Sequence, residues 1–127
     1  MNNILIVDDS PTMRRMVMAS LRGLPGVSFG EASSGLEAIE RLGLAPVDLM
    51  ILDLNMPDMH GIEVLDFLRR HQAYSRIPVI VLTTRGDEAS RADALAAGAS
   101  LYLTKPFGPQ ELSAQARALL NSQPESA

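Results

Sequence analysis

The strongest constraint on the fold is the alternation of short, fully apolar runs with stretches of helical periodicity. The runs at 4–7 and 79–82 are apolar at every position, which is typical of strands covered on both faces of a sheet. The run at 49–52 has the same pattern, although its limited β-branching also allows a buried helical turn. Weaker strands are predicted at 27–31 and 101–104. The sequence therefore predicts five strands.

Helical periodicity separates these strands, with apolar residues recurring at spacings of three and four. The residues are Met13, Met16, Val17 and Leu21, then Leu36, Ile39 and Leu42, then Ile62, Leu65 and Leu68, and finally Leu112, Ala116 and Leu119. An Ala-rich helix is expected from about residue 88 to 97. Strands joined by helices of this length lie parallel, with helices on both faces of the sheet. The predicted fold class is therefore α/β, with a doubly wound parallel sheet of five strands.

Local signals at the helix ends agree with this pattern. Ser34 and Glu37 have the spacing of a capping box, in which each side chain accepts from a backbone N–H at the other end. Gly23 and Gly98 each follow a helical stretch, where a left-handed residue ends a helix at little cost. We expect one domain over residues 1–120 and a short polar tail over 121–127.

Composition excludes several classes of function. The chain has 127 residues and no Cys, so disulfides, thiolate metal sites and thiol nucleophiles are absent from it. A formal net charge of −4 argues against nucleic acid as a partner, because phosphate backbones require a cationic face. No membrane-spanning or secretory segment is predicted, because the opening apolar run ends at two acids. A cytoplasmic protein with no membrane partner is expected.

Polar residues follow four of the predicted strands, at the edge where open parallel sheets hold their sites. These are Asp8 and Asp9 after the first strand, Asp53 after the third, Thr83 in the Thr83–Thr84 pair after the fourth, and Lys105 after the fifth. Each one alone reads as a solvated turn residue. Their joint occurrence favours a shared site.

The predicted site has the chemistry of a phosphoryl acceptor. Three neighbouring carboxylates repel one another unless a cation is present, and oxygen-only ligands favour Mg²⁺ over zinc. Lys105 is the only lysine among 11 basic residues, and an ammonium acts as a compact point charge near a phosphate. Asp53 would then attack phosphorus in line, with Thr83 donating a hydrogen bond.

Taken together, four motifs resemble the receiver domains of two-component response regulators. They are V-D-D at 7–9, L-D-L-N-M-P at 52–57 with Gly61, L-T-T at 82–84 and K-P-F at 105–107. T-M-R-R at 12–15 and N-M-P at 55–57 are most similar to the single-domain chemotaxis regulators of that family. The resemblance covers nearly the whole chain. It implies a flavodoxin-like (βα)5 fold with strand order 2-1-3-4-5.

The resemblance also implies a role for each site residue. Asp53 would be the phosphoacceptor and would receive its group from a phosphohistidine on a sensor histidine kinase. Mg²⁺ would be bound by Asp9 directly, by Asp8 through water, by the Asp53 carboxylate and by the backbone carbonyl of Asn55. Such a domain would catalyse only its own phosphorylation and dephosphorylation.

The switch implied by the resemblance involves three further groups. Thr83 would be the switch hydroxyl, Lys105 the ion pair of the phosphoryl group, and Tyr102 the aromatic residue that swings inward. The face formed by the fourth helix, fifth strand and fifth helix would then bind a downstream protein, in chemotaxis or a related chemosensory pathway. A phosphatase that removes the phosphoryl group is a further implied partner.

Other functions remain open at this point. A phosphorelay shuttle or a phosphate sink would use the same acidic pocket. A small phosphatase of the haloacid dehalogenase type also has an aspartyl nucleophile, but it needs a second acid where this chain has Asn55. A flavodoxin-like FMN carrier is disfavoured, because Asp8 and Asp9 would repel the phosphate of the flavin.

Three features depart from the common family pattern, namely Thr84, Arg85 and the acidic segment 86–88. The lifetime of the phosphorylated state and a flagellar partner are therefore not inferred from the resemblance.

Overall fold

The computed structural model describes residues 2–56, 58–84 and 86–121, in which five strands alternate with five helices. The strands are β1 (Asn2–Val7), β2 (Val27–Ala32), β3 (Leu49–Leu52), β4 (Val79–Thr83) and β5 (Leu101–Thr104). The helices are α1 (Pro11–Leu21), α2 (Gly35–Leu42), α3 (Gly61–Arg70), α4 (Glu88–Ala96) and α5 (Pro109–Asn121). The predicted elements are confirmed, and the run at 49–52 is a strand rather than a helical turn.

The strands form a five-stranded parallel sheet in the order β2-β1-β3-β4-β5. This confirms the doubly wound α/β fold and the strand order implied by the resemblance. The chain first adds β2 on one side of β1 and then adds β3 on the other side. The crevice beyond the carboxyl ends of β1 and β3 is therefore the expected position of a ligand site.

Side chains of β1 alternate between two apolar layers. Leu5 and Val7 pack with α2, α3 and α4, whereas Ile4 and Ile6 pack with α1 and α5. All four side chains are at most 2% exposed. A strand buried on both faces explains why this run is apolar at every position.

Two local predictions need correction. Ser34 caps α2 by accepting from the Glu37 N–H at 3.1 Å, but the Glu37 carboxylate accepts from the N–H of Ser33 at 2.6 Å rather than from Ser34. A complete capping box instead begins α3, between His60 and Glu63. The expectation of a left-handed residue at Gly23 was wrong, because the chain takes a positive φ of 65° at Gly26. Residues 22–26 form the turn between α1 and β2.

The predicted tail begins inside a helix, because α5 continues to Asn121. The remainder of that tail, 122–127, lies outside the described residues. Within the part of the chain that the structure describes, no helix has the length and apolar character needed to cross a bilayer.

Gly61 allows α3 to begin directly against the chain that leaves β3. A Cβ atom built there would lie 2.7 Å from the Asp53 carbonyl oxygen and 2.8 Å from the Leu54 Cα. Both atoms belong to the backbone, so neither can move aside without displacing β3 or α3. The glycine is therefore required by packing beside the functional edge of the sheet.

We expect Gly61→Ala to lower the free energy of unfolding by about 1–3 kcal/mol, the usual effect of overpacking. Gly23→Ala is the matched control, because a Cβ there meets no atom within 4 Å and Gly23 has no positive φ. Urea denaturation followed by circular dichroism measures both changes. Equal stabilities of the two variants would contradict the steric argument.

Candidate functional site

The candidate site lies at the carboxyl edge of the sheet, where β1 and β3 are neighbours. Asp8 and Asp9 follow β1, and Asp53 follows β3. The Asp53 N–H donates to the carbonyl of the last β1 residue at 3.0 Å, which fixes the two strand ends side by side. Lys105 follows β5, and its N–H donates to the carbonyl of Thr83, the last residue of β4, at 2.8 Å. The structure thus brings the five strand-end residues to one edge.

Three carboxylates converge at this edge. Asp8, Asp9 and Asp53 each offer an oxygen, and these oxygens all lie within 4.8 Å of one another. Asp8 is 5% exposed and Asp53 6% exposed, whereas Asp9 is exposed to solvent. Carboxylate oxygens with room for water are the donors that hard divalent cations prefer. The cluster therefore fits a divalent metal ion.

Lys105 places a positive charge beside the three carboxylates. Its Nζ lies 2.8 Å from Oδ2 of Asp8 and 3.6 Å from Oδ2 of Asp53, and its side chain is 10% exposed. Buried like charges repel strongly at low dielectric, so one ammonium shared by two carboxylates offsets part of that repulsion. The ammonium also lies where it can contact a group attached to Asp53.

The environment of Asp53 favours the protonated form of its carboxyl group. Burial raises the pKa of Asp53, and the charge of Asp8 raises it further. The Lys105 ammonium, the backbone N–H of Asn55 and a hydrogen bond from the Thr83 side chain lower the pKa, but burial outweighs them. Ionised Asp53 therefore destabilises the folded chain when no cation is bound.

We expect Asp53→Asn to stabilise the chain at pH 7 in the presence of EDTA. Because the pKa of Asp53 is higher in the folded than in the unfolded state, the folded state binds more protons between the two values. Stability attributable to Asp53 is thus greatest at low pH and is lost as the pH rises through the raised pKa. The difference between wild type and Asp53→Asn in urea denaturation should shrink as the pH falls. Asp66→Asn is the control for loss of one exposed carboxylate, and a flat difference would contradict the assignment.

Of the other predicted site residues, Asn55 and Thr83 hydrogen-bond to Asp53, and Tyr102 lies on β5. The Asn55 N–H donates to Oδ1 of Asp53 at 3.3 Å, and the Asn55 side chain is exposed. Thr83 is fully buried at the end of β4. Tyr102 is 5% exposed and belongs to the core layer on the α2–α3–α4 side. The ring therefore already occupies an inward position, and the roles of these residues stay predictions.

Sequence reasoning missed Asp58, which joins the loop after β3 to α2. Its carboxylate accepts from the N–H groups of Gly35 at 3.2 Å and Leu36 at 3.0 Å. Hydrogen bonding to the Leu36 backbone lowers the pKa of Asp58 below its ordinary value. Met59 packs so closely on Gly35 that a Cβ at Gly35 would lie 2.7 Å from the Met59 Cβ. No local signal could reveal this cap, because the amides are more than 20 positions away.

Comparisons with known proteins agree with this geometry. The family model described as the response regulator receiver domain matches residues 4–117. The chain is 38% identical to the chemotaxis protein CheY1 of Helicobacter pylori over 120 residues, which cover 94% of this chain and 97% of that protein. It is 42% identical over 120 residues to the KDP operon transcriptional regulatory protein KdpE of Escherichia coli, covering 94% of this chain and 52% of KdpE. The chain thus spans about half of that regulator.

A solved structure of the same fold contains a divalent metal ion. The Mn²⁺-bound form of the response regulator Rcp1 has a TM-score of 0.79 and 27% identity to this chain. The alignment covers 100% of this chain and 97% of that one. A metal-bound structure of the same fold is consistent with the donor set of the acidic cluster.

Proposed function

Because the chain belongs to the family of response regulator receiver domains, we propose that it is a phosphoacceptor switch of a two-component system. It takes a phosphoryl group from the phosphohistidine of a sensor histidine kinase onto Asp53. The observation that carries this proposal is the convergence of Asp8, Asp9 and Asp53 around Lys105 at one sheet edge. An acid cluster with one ammonium is suited to a transferring phosphoryl group.

The transfer is an in-line displacement at phosphorus. A carboxylate oxygen of Asp53 forms the new P–O bond while the P–N bond to the donor imidazole breaks, and the imidazole leaves with the bonding electron pair. Lys105 lies 3.6 Å from Oδ2 of Asp53, so its ammonium can pair with the phosphoryl oxygens. Thr83 donates a hydrogen bond to the same group.

Mg²⁺ is the cation that we propose for the acidic cluster. Asp9 would bind it directly, Asp8 through water, Asp53 through its carboxylate and Asn55 through its backbone carbonyl. When bound, Mg²⁺ would neutralise negative charge on the phosphoryl oxygens, which lowers the repulsion between the phosphoryl donor and the Asp53 carboxylate. The protein contributes the oxygen donors and their spacing.

Phosphorylation would change the surface that partners recognise. The added group carries close to two negative charges, so a state with Thr83 and Lys105 drawn onto it gains charge-assisted hydrogen bonds. Tyr102 occupies the adjacent strand and would follow Thr83. The face formed by α4, β5 and α5 would then bind a downstream protein, and a phosphatase would reset the switch.

The pathway is proposed from the relatives. Similarity to CheY1 over nearly the full length of both chains favours a cytoplasmic chemotaxis regulator or a related chemosensory protein. A phosphorelay shuttle or a phosphate sink uses the same pocket and remains the second candidate. A phosphatase acting on small esters is disfavoured, because Asn55 stands where a general acid is needed. The chain would therefore catalyse only its own phosphorylation and dephosphorylation.

Incubation with acetyl phosphate tests the proposal. We expect the intact mass to increase by one phosphoryl group in the presence of Mg²⁺ and to remain unchanged in EDTA. A mass that does not change under either condition would refute the phosphoacceptor function. Continuous release of phosphate from p-nitrophenyl phosphate would instead support the phosphatase.

A further inference from the structure

Arg14 lies in the first turn of α1, and its side chain reaches back to the Asp8–Asp9 turn. Its Nη1 donates to the backbone carbonyl of Asp8 at 2.6 Å, and its Nε donates to Oε1 of Glu31 at 2.8 Å. The Arg14 side chain is only 15% exposed, whereas that of Glu31 on β2 is 44% exposed. A planar guanidinium held by two acceptors has a fixed orientation. The Asp8 carbonyl is therefore held against both α1 and β2.

Asp9 differs from the other two carboxylates in how it is held. The Asp8 carboxylate accepts from the Ser10 N–H at 2.9 Å and from the Lys105 ammonium at 2.8 Å. The Asp53 carboxylate accepts from a backbone N–H at 3.3 Å. Over residues 2–56, 58–84 and 86–121, no hydrogen bond to the Asp9 side chain is found. The position of the Asp9 carboxylate thus depends on the Asp9 backbone. The Arg14 guanidinium holds the carbonyl of Asp8, which belongs to the peptide bond that precedes Asp9.

We propose that Arg14 is a positioning residue for cation binding, because it fixes the Asp8–Asp9 peptide and thereby keeps the Asp9 carboxylate in the cluster. The inference rests on the proposed function, since it requires that the cluster binds a divalent cation. Groups that orient metal ligands without touching the metal commonly alter metal affinity by about 10–100-fold.

Charge alone predicts the opposite effect. A guanidinium near three carboxylates repels an incoming cation, so removing it should tighten cation binding. Glu31 lies 2.8 Å from Arg14 Nε and offsets this repulsion, which lets the side chain hold the carbonyl with little electrostatic penalty. The sign of the change in affinity therefore distinguishes positioning from electrostatics.

The test compares Arg14→Met with Arg15→Met in the full chain. Both variants remove one positive charge from the same turn of α1, but Arg15 is exposed and donates no hydrogen bond to the Asp8–Asp9 peptide among the described residues. Mn²⁺ alone is titrated, and the free ion is followed by electron paramagnetic resonance. We expect the Kd for Mn²⁺ to rise about tenfold in Arg14→Met and to change less than about twofold in Arg15→Met.

Three results would overturn the inference. The first is tighter or unchanged binding by folded Arg14→Met, even if its unfolding midpoint falls, because a merely structural role alters stability alone. The second is an equal change in both variants, which indicates general electrostatics. The third is no Mn²⁺ binding by wild type, which would also remove the proposed function. Should Arg14→Met fail to fold, Arg14→Lys is tested instead. It keeps the positive charge but lacks the planar guanidinium, so the same loss of affinity for Mn²⁺ is expected.

Discussion

Asp53→Asn is expected to abolish phosphorylation by acetyl phosphate. An amide has no anionic oxygen to form the P–O bond, and the other two carboxylates of the cluster would be committed to the cation. The substitution nearly conserves size, so the packing is kept, and the Asn oxygen can still accept from the Asn55 N–H. Intact-mass spectrometry should therefore show no added phosphoryl group under conditions in which the wild type is labelled.

Asp58→Asn is the matched control for this experiment. Asp58 lies on the same loop and is exposed, and an Asn oxygen can still accept from one of the two α2 N–H groups that donate to the Asp58 carboxylate. We expect this variant to be phosphorylated like the wild type. Labelling that persists in Asp53→Asn would place the acceptor on another residue and would remove the basis of the proposed mechanism.

Lys105→Met should give the largest loss of stability among single changes at the site. It removes the ammonium that lies 2.8 Å from Asp8 and 3.6 Å from Asp53, and both carboxylates are nearly buried. Removal of one partner from a buried ion pair leaves an uncompensated charge, so we expect a decrease of about 3 kcal/mol in the free energy of unfolding at pH 7 in EDTA.

Two conditions should rescue Lys105→Met. Millimolar Mg²⁺ replaces the missing positive charge, and low pH protonates Asp53, whose pKa is raised by burial, so the difference from wild type should shrink in both. Arg117→Met, which removes an exposed cation from α5, is the control and should show neither the loss nor the rescue. A loss in Lys105→Met that Mg²⁺ and acid both leave unchanged would mean that packing, rather than charge, explains it.

The apolar runs were sufficient to predict the three central strands, β1, β3 and β4, because burial on both faces leaves little choice of side chain. The run at 4–7 illustrates this, since successive residues enter opposite core layers. The helix ends were predicted less well. The Glu37 carboxylate takes the neighbouring N–H of Ser33, and the left-handed turn is at Gly26 rather than Gly23. These details depend on how each turn meets the next strand, which spacing alone does not specify.

The residues that bear charge at the site were predictable because all strands of a parallel sheet have their carboxyl ends at one edge. The residues that hold them in place were not. Asp58 caps α2 from a distant loop, and Arg14 contacts a carbonyl and an acid on another strand. Such contacts depend on side-chain direction and helix placement. They leave no periodic signal in the sequence.

We propose that Asp53 receives a phosphoryl group beside a cation held by Asp8 and Asp9. A crystal structure of the chain grown with Mg²⁺ and beryllofluoride tests this claim most directly. We expect beryllium bonded to a carboxylate oxygen of Asp53, Mg²⁺ bound by Asp9, and the Lys105 ammonium within hydrogen-bond distance of a fluoride. Beryllofluoride on any other residue, or a cation bound away from this cluster, would contradict the claim.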